Sequence, residues 1–269
     1  MCIMNKRSAL IIGASSGIGL AAARKLCDAG YSVYNGSRTP CPDERVISLT
    51  VDVTQKDTVQ KAAARVLADC GKIDALVYSA GFSMAAPVEL AEEKDYRYLF
   101  EVNFFGALDC VREVLPEMRK AASGKIVLVS SMGGILPIAY DAFYSASKAA
   151  LIMLAKELNL EVNRFGIHAV AVLPGGTATR FTFKRKVYPA EQTEPYTADM
   201  DKAVGSLAGM EQGGMEADEV ADTIIRAISS DNPPAVIASG LANKAYYLSQ
   251  KLLPDRLTEK LISDKYNLS

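Results

Sequence analysis

The stretch Ser8-Ala-Leu-Ile-Ile-Gly-Ala-Ser-Ser-Gly-Ile-Gly-Leu-Ala-Ala-Ala-Arg24 decides the fold. Residues 8–12 form a short apolar run that reads as a buried strand, and an alanine-rich segment of helical period covers 17–29. Between them, Gly13, Gly17 and Gly19 mark a turn. A glycine pattern alone is weak, but strand, glycine turn and helix in succession give it meaning. Gly13 permits the tight turn, Gly17 lets backbone approach a pyrophosphate, and Gly19 lets helix and strand pack closely. Ser15, Ser16 and Ile18 fill the loop, and the helix N-terminus turns open N–H groups and a positive dipole end toward an anion.

Outward from this unit, apolar runs alternate with helical patterns. Further strands are expected over 32–35, 46–51, 75–78, 125–130, 168–173 and 235–238, and helices over 55–70, 95–122, 144–163 and 217–229. Near-continuous apolar strands between helices mean a parallel sheet covered on both faces. The expected fold is therefore a single α/β domain over 1–269, a Rossmann-type doubly wound parallel sheet of about seven strands. Two segments break the rhythm. Residues 175–215 read as a long irregular insertion, a candidate substrate lid. Residues 239–269 read as a C-terminal helical extension, with Ala245, Leu248, Leu252 and Leu253 at helical spacing before Pro254.

Composition narrows the chemistry. The 269 residues carry 30 basic and 31 acidic side chains, and this balance argues against a nucleic-acid binder. One histidine, His168, argues against a zinc site built on several imidazoles, and its place in an apolar strand marks it as a packed residue. The five cysteines are scattered without a CxxC pair, so neither a disulfide framework nor a metal site is expected. No apolar stretch approaches the ~18–20 residues that span a bilayer. A cytoplasmic location is the expectation.

Tyr144-Ser-Ala-Ser-Lys148 has the spacing Tyr-x-x-x-Lys, which puts phenol and ammonium on one helix face. A free tyrosine titrates near pH ~10, and a neighbouring cation favours its phenolate. Ser131 lies thirteen residues earlier at a strand end, and Asn103 lies in Val102-Asn-Phe-Phe-Gly106. These residues, with the GxxxGxG spacing of the first loop, give the chain a strong resemblance to the short-chain dehydrogenase/reductase family, covering roughly residues 8–180 in motif. The resemblance implies an enzyme that interconverts a ketone and a secondary alcohol by hydride transfer. Tyr144 would be the general acid/base, Lys148 its tuning cation, Ser131 the carbonyl-polarising hydroxyl, and Asn103 the holder of a water that links the lysine to solvent.

The resemblance also implies a nicotinamide cofactor. Ser37 stands where NAD enzymes of the family carry an acid, and Arg38 beside it suits a 2′-phosphate, so NADP(H) is expected. Asp52 and Val53 match the adenine-contacting pair. Ala80 and Gly81 keep the close backbone approach after the fourth strand, but Tyr78-Ser79 replaces the usual Asn-Asn, which removes the asparagine bonds that brace that strand. Pro174, Gly175, Thr177 and Thr179 match the segment over the nicotinamide and its carboxamide.

The expected pocket loops, 82–87 and 132–137 with Tyr140, Phe181, Phe183 and Met210, are apolar and suit a lipophilic substrate of steroid-like character. The run Arg180-Phe-Thr-Phe-Lys-Arg-Lys186 is expected to be a solvated loop rather than a lid that meets an anion. Alternatives are a 3-oxoacyl thioester reductase and a non-catalytic NADP-binding sensor or scaffold. A homodimer or homotetramer through the two longest helices is expected.

Overall fold

The computed structural model describes residues 6–249 together with Pro254, Arg256, Leu257, Lys260 and Tyr266. Seven strands form one parallel sheet: β1 (Ser8–Ile12), β2 (Ser32–Ser37), β3 (Ile47–Thr50), β4 (Ala75–Tyr78), β6 (Gly124–Val129), β7 (Ile167–Leu173) and β9 (Val236–Ala238). Their spatial order is β3-β2-β1-β4-β6-β7-β9. Alternation along each strand divides the core: Leu10 and Ile12 face one layer, Ala9 and Ile11 the other. The first layer is α2 (Lys56–Cys70), α4 (Gly106–Lys120) and α5 (Ala142–Val162); the second is α1 (Gly17–Asp28) and α7 (Ala217–Ser229). The order reverses between β2-β1 and β4-β6, and a ligand crevice opens at the strand ends beside such a reversal.

The structure departs from the sequence reading in four places. The helix expected over 95–122 starts as α3 (Glu93–Phe100), passes through a π-helical turn at Glu101–Phe105, and continues as α4. Such a turn widens the helix and frees carbonyls. Tyr78, fully buried on β4, donates its phenol proton to one of them, Val102 O, at 2.5 Å. Gly106 makes room for that phenol, because a Cβ there would lie 2.7 Å from the Tyr78 oxygen. The brace expected to be lost with the asparagines is thus supplied by another bond.

The insertion over 175–215 is not irregular throughout. It holds β8 (Lys186–Val187), paired with β5 (Met84–Ala85), and α6 (Thr197–Gln212). Gly205 and Gly209 sit inside α6 and each costs roughly 1 kcal/mol relative to alanine, which is why local pattern concealed a helix held by packing. At the C-terminal end, α8 (Leu241–Ser249) bears out a helical segment, but its buried side is not the one expected. Ala245 and Leu248 are exposed, while Tyr247 packs on the core and Asn243 bonds Ser239 O at 2.8 Å. Leu252 and Leu253 lie outside the described residues. Finally, Arg185 is not solvated: its side chain is 3% exposed and ion-paired with Glu211.

His168 is a half-buried β7 residue whose pKa is lowered by burial and by Lys125. No helix among the described residues is long and apolar enough to cross a membrane, and none of their His, Cys, Asp and Glu side chains form a metal-binding group.

Candidate active site

One continuous cleft of about 1220 Å³ runs along the strand ends from the first loop to the C-terminal segment. The first loop is built by close contact. A Cβ on Gly19 would lie 2.2 Å from Gly13 O, and one on Gly13 would lie 2.8 Å from the Ala80 amide. Gly13 and Gly17 have φ of +97° and +56°, a region that side chains rarely enter. Asn35 Oδ1 accepts from the Ala14 amide at 3.0 Å and from the Ser37 hydroxyl at 2.7 Å, which ties the loop to β2. Helix α1 starts after Ser16 with no side-chain cap and no acid in its first turn, leaving its N–H groups available at the cleft.

Arg38 lines the same end, is exposed, and has no hydrogen bond or ion pair among the described residues. Asp52 is tied by the Thr54 amide (3.0 Å) and hydroxyl (2.8 Å), which lower its pKa, with Arg38 adding a smaller effect. Val53, Ala80, Gly81, Ser15 and Ile18 also line the cleft, as do Pro174, Gly175, Thr177 and Thr179 across from the loop. Thr179 is 3.5 Å from the Cβ position of Gly17, so these two segments face each other. A glycine cradle, an uncapped helix and an unpaired guanidinium fit a dinucleotide.

Three of the four residues of the second motif line the cleft, and Asn103 is buried behind them. Ser131, Tyr144 and Lys148 line it, and the Ser131 hydroxyl bonds the Tyr144 phenol. Ser131 Oγ also accepts from Gly133 N at 3.0 Å, while adjacent Ser130 points away and donates to Lys148 O at 2.7 Å. The Lys148 ammonium lies 5.6 Å from the Tyr144 ring centroid and donates to Val129 O at 2.9 Å. Burial is the dominant influence on both: it pushes the Tyr144 phenol well above its ordinary pKa and pulls Lys148 down to about 8. In the protein alone, then, Lys148 does not make Tyr144 a phenolate; it leaves a neutral phenol poised to donate.

Asn103 is fully buried in the π-helical turn. Its Oδ1 accepts from Phe82 N at 3.0 Å, and its Nδ2 donates to Phe82 O (2.9 Å) and Ser147 Oγ (3.1 Å). Ser147 in turn donates to Tyr144 O at 2.7 Å. Both amide protons are therefore committed to the protein, which makes Asn103 a clamp between the loop after β4 and α5. A Cβ on Gly81 would lie 3.1 Å from its Oδ1 and 3.4 Å from Lys148 Nζ.

The far end of the cleft is lined by Phe82, Tyr98, Leu136, Ile138, Phe181 and Met210. Much of the expected lining falls elsewhere: of residues 82–87 only Phe82 reaches the cleft, Met84, Ala85 and Ala86 are buried, Pro87 and Tyr140 line a separate small pocket, Gly134 and Ile135 stay out of the cleft, and Phe183 is 81% exposed. Pattern reasoning missed Asp141, Glu211 and Tyr266, which also line the cleft. The one local signal for Asp141 is its place three residues before Tyr144; Glu211 and Tyr266 carry none.

Residues 7–187 match the sequence model of the short chain dehydrogenase family. The chain belongs to that family and is an oxidoreductase acting on CH–OH groups with a nicotinamide cofactor. It is 34% identical over 259 residues to the 3-ketodihydrosphingosine reductase of Bacteroides thetaiotaomicron, covering 95% of this chain and 96% of the relative. It is 29% identical to the NADPH-dependent 1-acyldihydroxyacetone phosphate reductase of Saccharomyces cerevisiae, covering 98% and 92%. A short-chain dehydrogenase from Streptomyces avermitilis has the same fold with a TM-score of 0.80 at 32% identity, covering 96% and 95%.

Proposed function

We propose that the protein is an NADPH-dependent reductase of a lipophilic ketone. The observation that carries this reading is the meeting of Ser131, Tyr144 and Lys148 in one cleft with the glycine loop and an unpaired Arg38. A hydride and its electron pair are what the reduced nicotinamide supplies when bound. Ser131 and Tyr144 hydrogen-bond the substrate carbonyl oxygen, and the Tyr144 proton passes to it as charge develops. Burial raises the Tyr144 pKa, so the phenol carries its proton at neutral pH and can donate it to the carbonyl oxygen. Lys148 holds the emptied phenolate by its positive charge, and Asn103 positions the helix through Ser147.

Arg38 and the Ser37 hydroxyl receive the 2′-phosphate in this reading, while Ser15, Ser16, Gly17 and the open end of α1 take the pyrophosphate. The yeast relative is named as NADPH-dependent, and both relatives are named for acyl or keto lipids. The apolar far wall suits such a chain. Residues 175–215 form its lid. Phe105, Met153 and Leu160, exposed by 45%, 54% and 81% on or beside α4 and α5, supply an apolar face for a homo-oligomer.

The test is NADPH consumption with long-chain ketones, acyl thioesters and small aldehydes, read by absorbance. Turnover of the long-chain ketones above the others supports the reading. Preference for 3-oxoacyl thioesters would replace the substrate class, and tight NADPH binding without any turnover would make the protein a sensor.

A further inference from the structure

The loop after β4 is stapled at both of its ends to one turn of the neighbouring helix. At its start, the Tyr78 phenol donates to Val102 O at 2.5 Å. At its finish, Phe82 N donates to Asn103 Oδ1 at 3.0 Å, and Asn103 Nδ2 donates to Phe82 O at 2.9 Å. Between these two ties, a Cβ on Gly13 would lie 2.8 Å from Ala80 N, and one on Gly81 would lie 3.4 Å from Lys148 Nζ. The stapled loop therefore lies against both the glycine turn of the cofactor end and the lysine of the reacting centre.

The π-helical turn is the reason for the first tie. In a regular helix Val102 O accepts from the amide four residues on, Gly106 N. Here Gly106 N goes to Glu101 O, five residues back, and Val102 O loses that donor. An interior carbonyl left without a partner is costly. Tyr78 supplies the proton: it is fully buried, and burial pushes its phenol well above its ordinary pKa, so it stays a donor. Gly106 leaves the space for it, since a Cβ there would lie 2.7 Å from the phenol oxygen. Next to Val102 is Asn103, whose further bond to Ser147 Oγ at 3.1 Å reaches the helix of Tyr144. Ser147 Oγ in turn donates to Tyr144 O at 2.7 Å. A chain of contacts thus runs from a phenol on β4 to the backbone of the reacting tyrosine, although Tyr78 itself lines no part of the cleft.

We propose that Tyr78 is a positioning residue for the reduction: its bond to Val102 O fixes the turn that carries Asn103, and through Asn103 and Ser147 it fixes where Tyr144 presents its proton. This rests on the reading of Tyr144 as the proton donor and adds a residue to it. Without the phenol proton, Val102 O must find another donor, and a turn that shifts to meet one carries Asn103 with it. Asn103 has little room to move, because a Cβ on Gly81 would lie only 3.1 Å from its Oδ1. The shift therefore passes to the loop and to α5. A small displacement of a reacting group is felt in the chemical step more than in binding.

The test is turnover of a long-chain ketone by the NADPH-loaded full chain, comparing Tyr78→Phe with Val77→Ala. Val77 is fully buried on the same strand with its side chain in the opposite layer, so its truncation loosens β4 without touching the turn. Tyr78→Phe should lower kcat by about 10-fold while KM for the ketone and the NADPH dissociation constant stay within about twofold. Val77→Ala should lower the melting temperature at least as much and leave kcat within about twofold. In a Ser147→Ala background the link to Tyr144 is already cut, and Tyr78→Phe should then cost no more than about twofold in kcat. A Tyr78→Phe enzyme with wild-type kcat overturns the proposal. So do equal losses of kcat in Tyr78→Phe and Val77→Ala, or an undiminished loss in the Ser147→Ala background. If the wild type reduces no ketone, the reductase reading fails instead, and amide hydrogen exchange on the NADPH complex reads the tie. Tyr78→Phe should then speed exchange at Phe82 and Gly106 by about 10-fold relative to Val77→Ala, and equal rates in the two variants overturn it.

Discussion

The two ends of the cleft are built by different means. The cofactor end is backbone: a Cβ on Gly19 or Gly13 would lie 2.2 Å or 2.8 Å from neighbouring backbone atoms, Gly17 is held at φ +56°, and the open end of α1 provides the polar groups. The substrate end is side chain: a buried ion pair between Arg185, just before β8, and Glu211 on α6, a clamp from the π-helical turn, and a tyrosine from near the C-terminus. A backbone site tolerates almost any neighbour but no change of its glycines. A side-chain site is set by partners that are distant in sequence, and it is where one protein of a fold comes to differ from another.

Substitutions can break this contrast, and the reacting centre between the two ends should respond most. Tyr144→Phe removes the proton donor while keeping the ring, and kcat should fall by about 10²–10⁴ with NADPH affinity retained; a kcat near the wild-type value would remove Tyr144 from the chemistry. At the substrate end, Glu211→Leu strands the Arg185 charge and should cost about 3–5 kcal/mol in chemical denaturation. The double change Glu211→Leu with Arg185→Met should recover most of it, whereas additive losses would show that the pair is not coupled.

Lys148→Met probes the buried ammonium through stability. Its folded pKa, about 8, is below the unfolded value, so the unfolded state binds the proton more tightly across pH 8–10.5. Folding therefore bears the full penalty below about pH 8, and the penalty fades as pH rises toward 10.5. The variant should gain about 3 kcal/mol at pH 7 and nothing by pH 10.5, while losing activity. A gain independent of pH would assign it to packing. The smallest effect belongs to the cofactor end: Arg38→Asp should shift the NADPH/NADH preference by about 10- to 100-fold with the fold unchanged. An unaltered preference would remove Arg38 from cofactor selection.

Legibility followed the same division. The parallel sheet was readable because fully buried strands such as Ala75–Tyr78 are short apolar runs, and every expected strand is present within two residues of its place. Tyr144 and Lys148 could be read from their spacing, and Ser131 and Asn103 from the family resemblance; Ser131, Tyr144 and Lys148 line one cleft, with Asn103 buried behind it. The π-helical turn could not, since Glu101–Phe105 has the same period as the helix around it. Nor could the burial of Arg185 inside a basic run, because its partner Glu211 is 26 residues away.

What the sequence by itself determined is the sheet, the glycine loop and the order of the reacting residues, since these depend on local period and on residues that lack or need a side chain. The tertiary structure alone decided which charges are paired. It satisfied Arg185 with Glu211 and buried Asp141 Oδ2 without a hydrogen-bond partner among the described residues, because pairing depends on which side chains meet once distant segments have packed. It also set the protonation of Tyr144 and Lys148, which follows from how much water the packed cleft excludes.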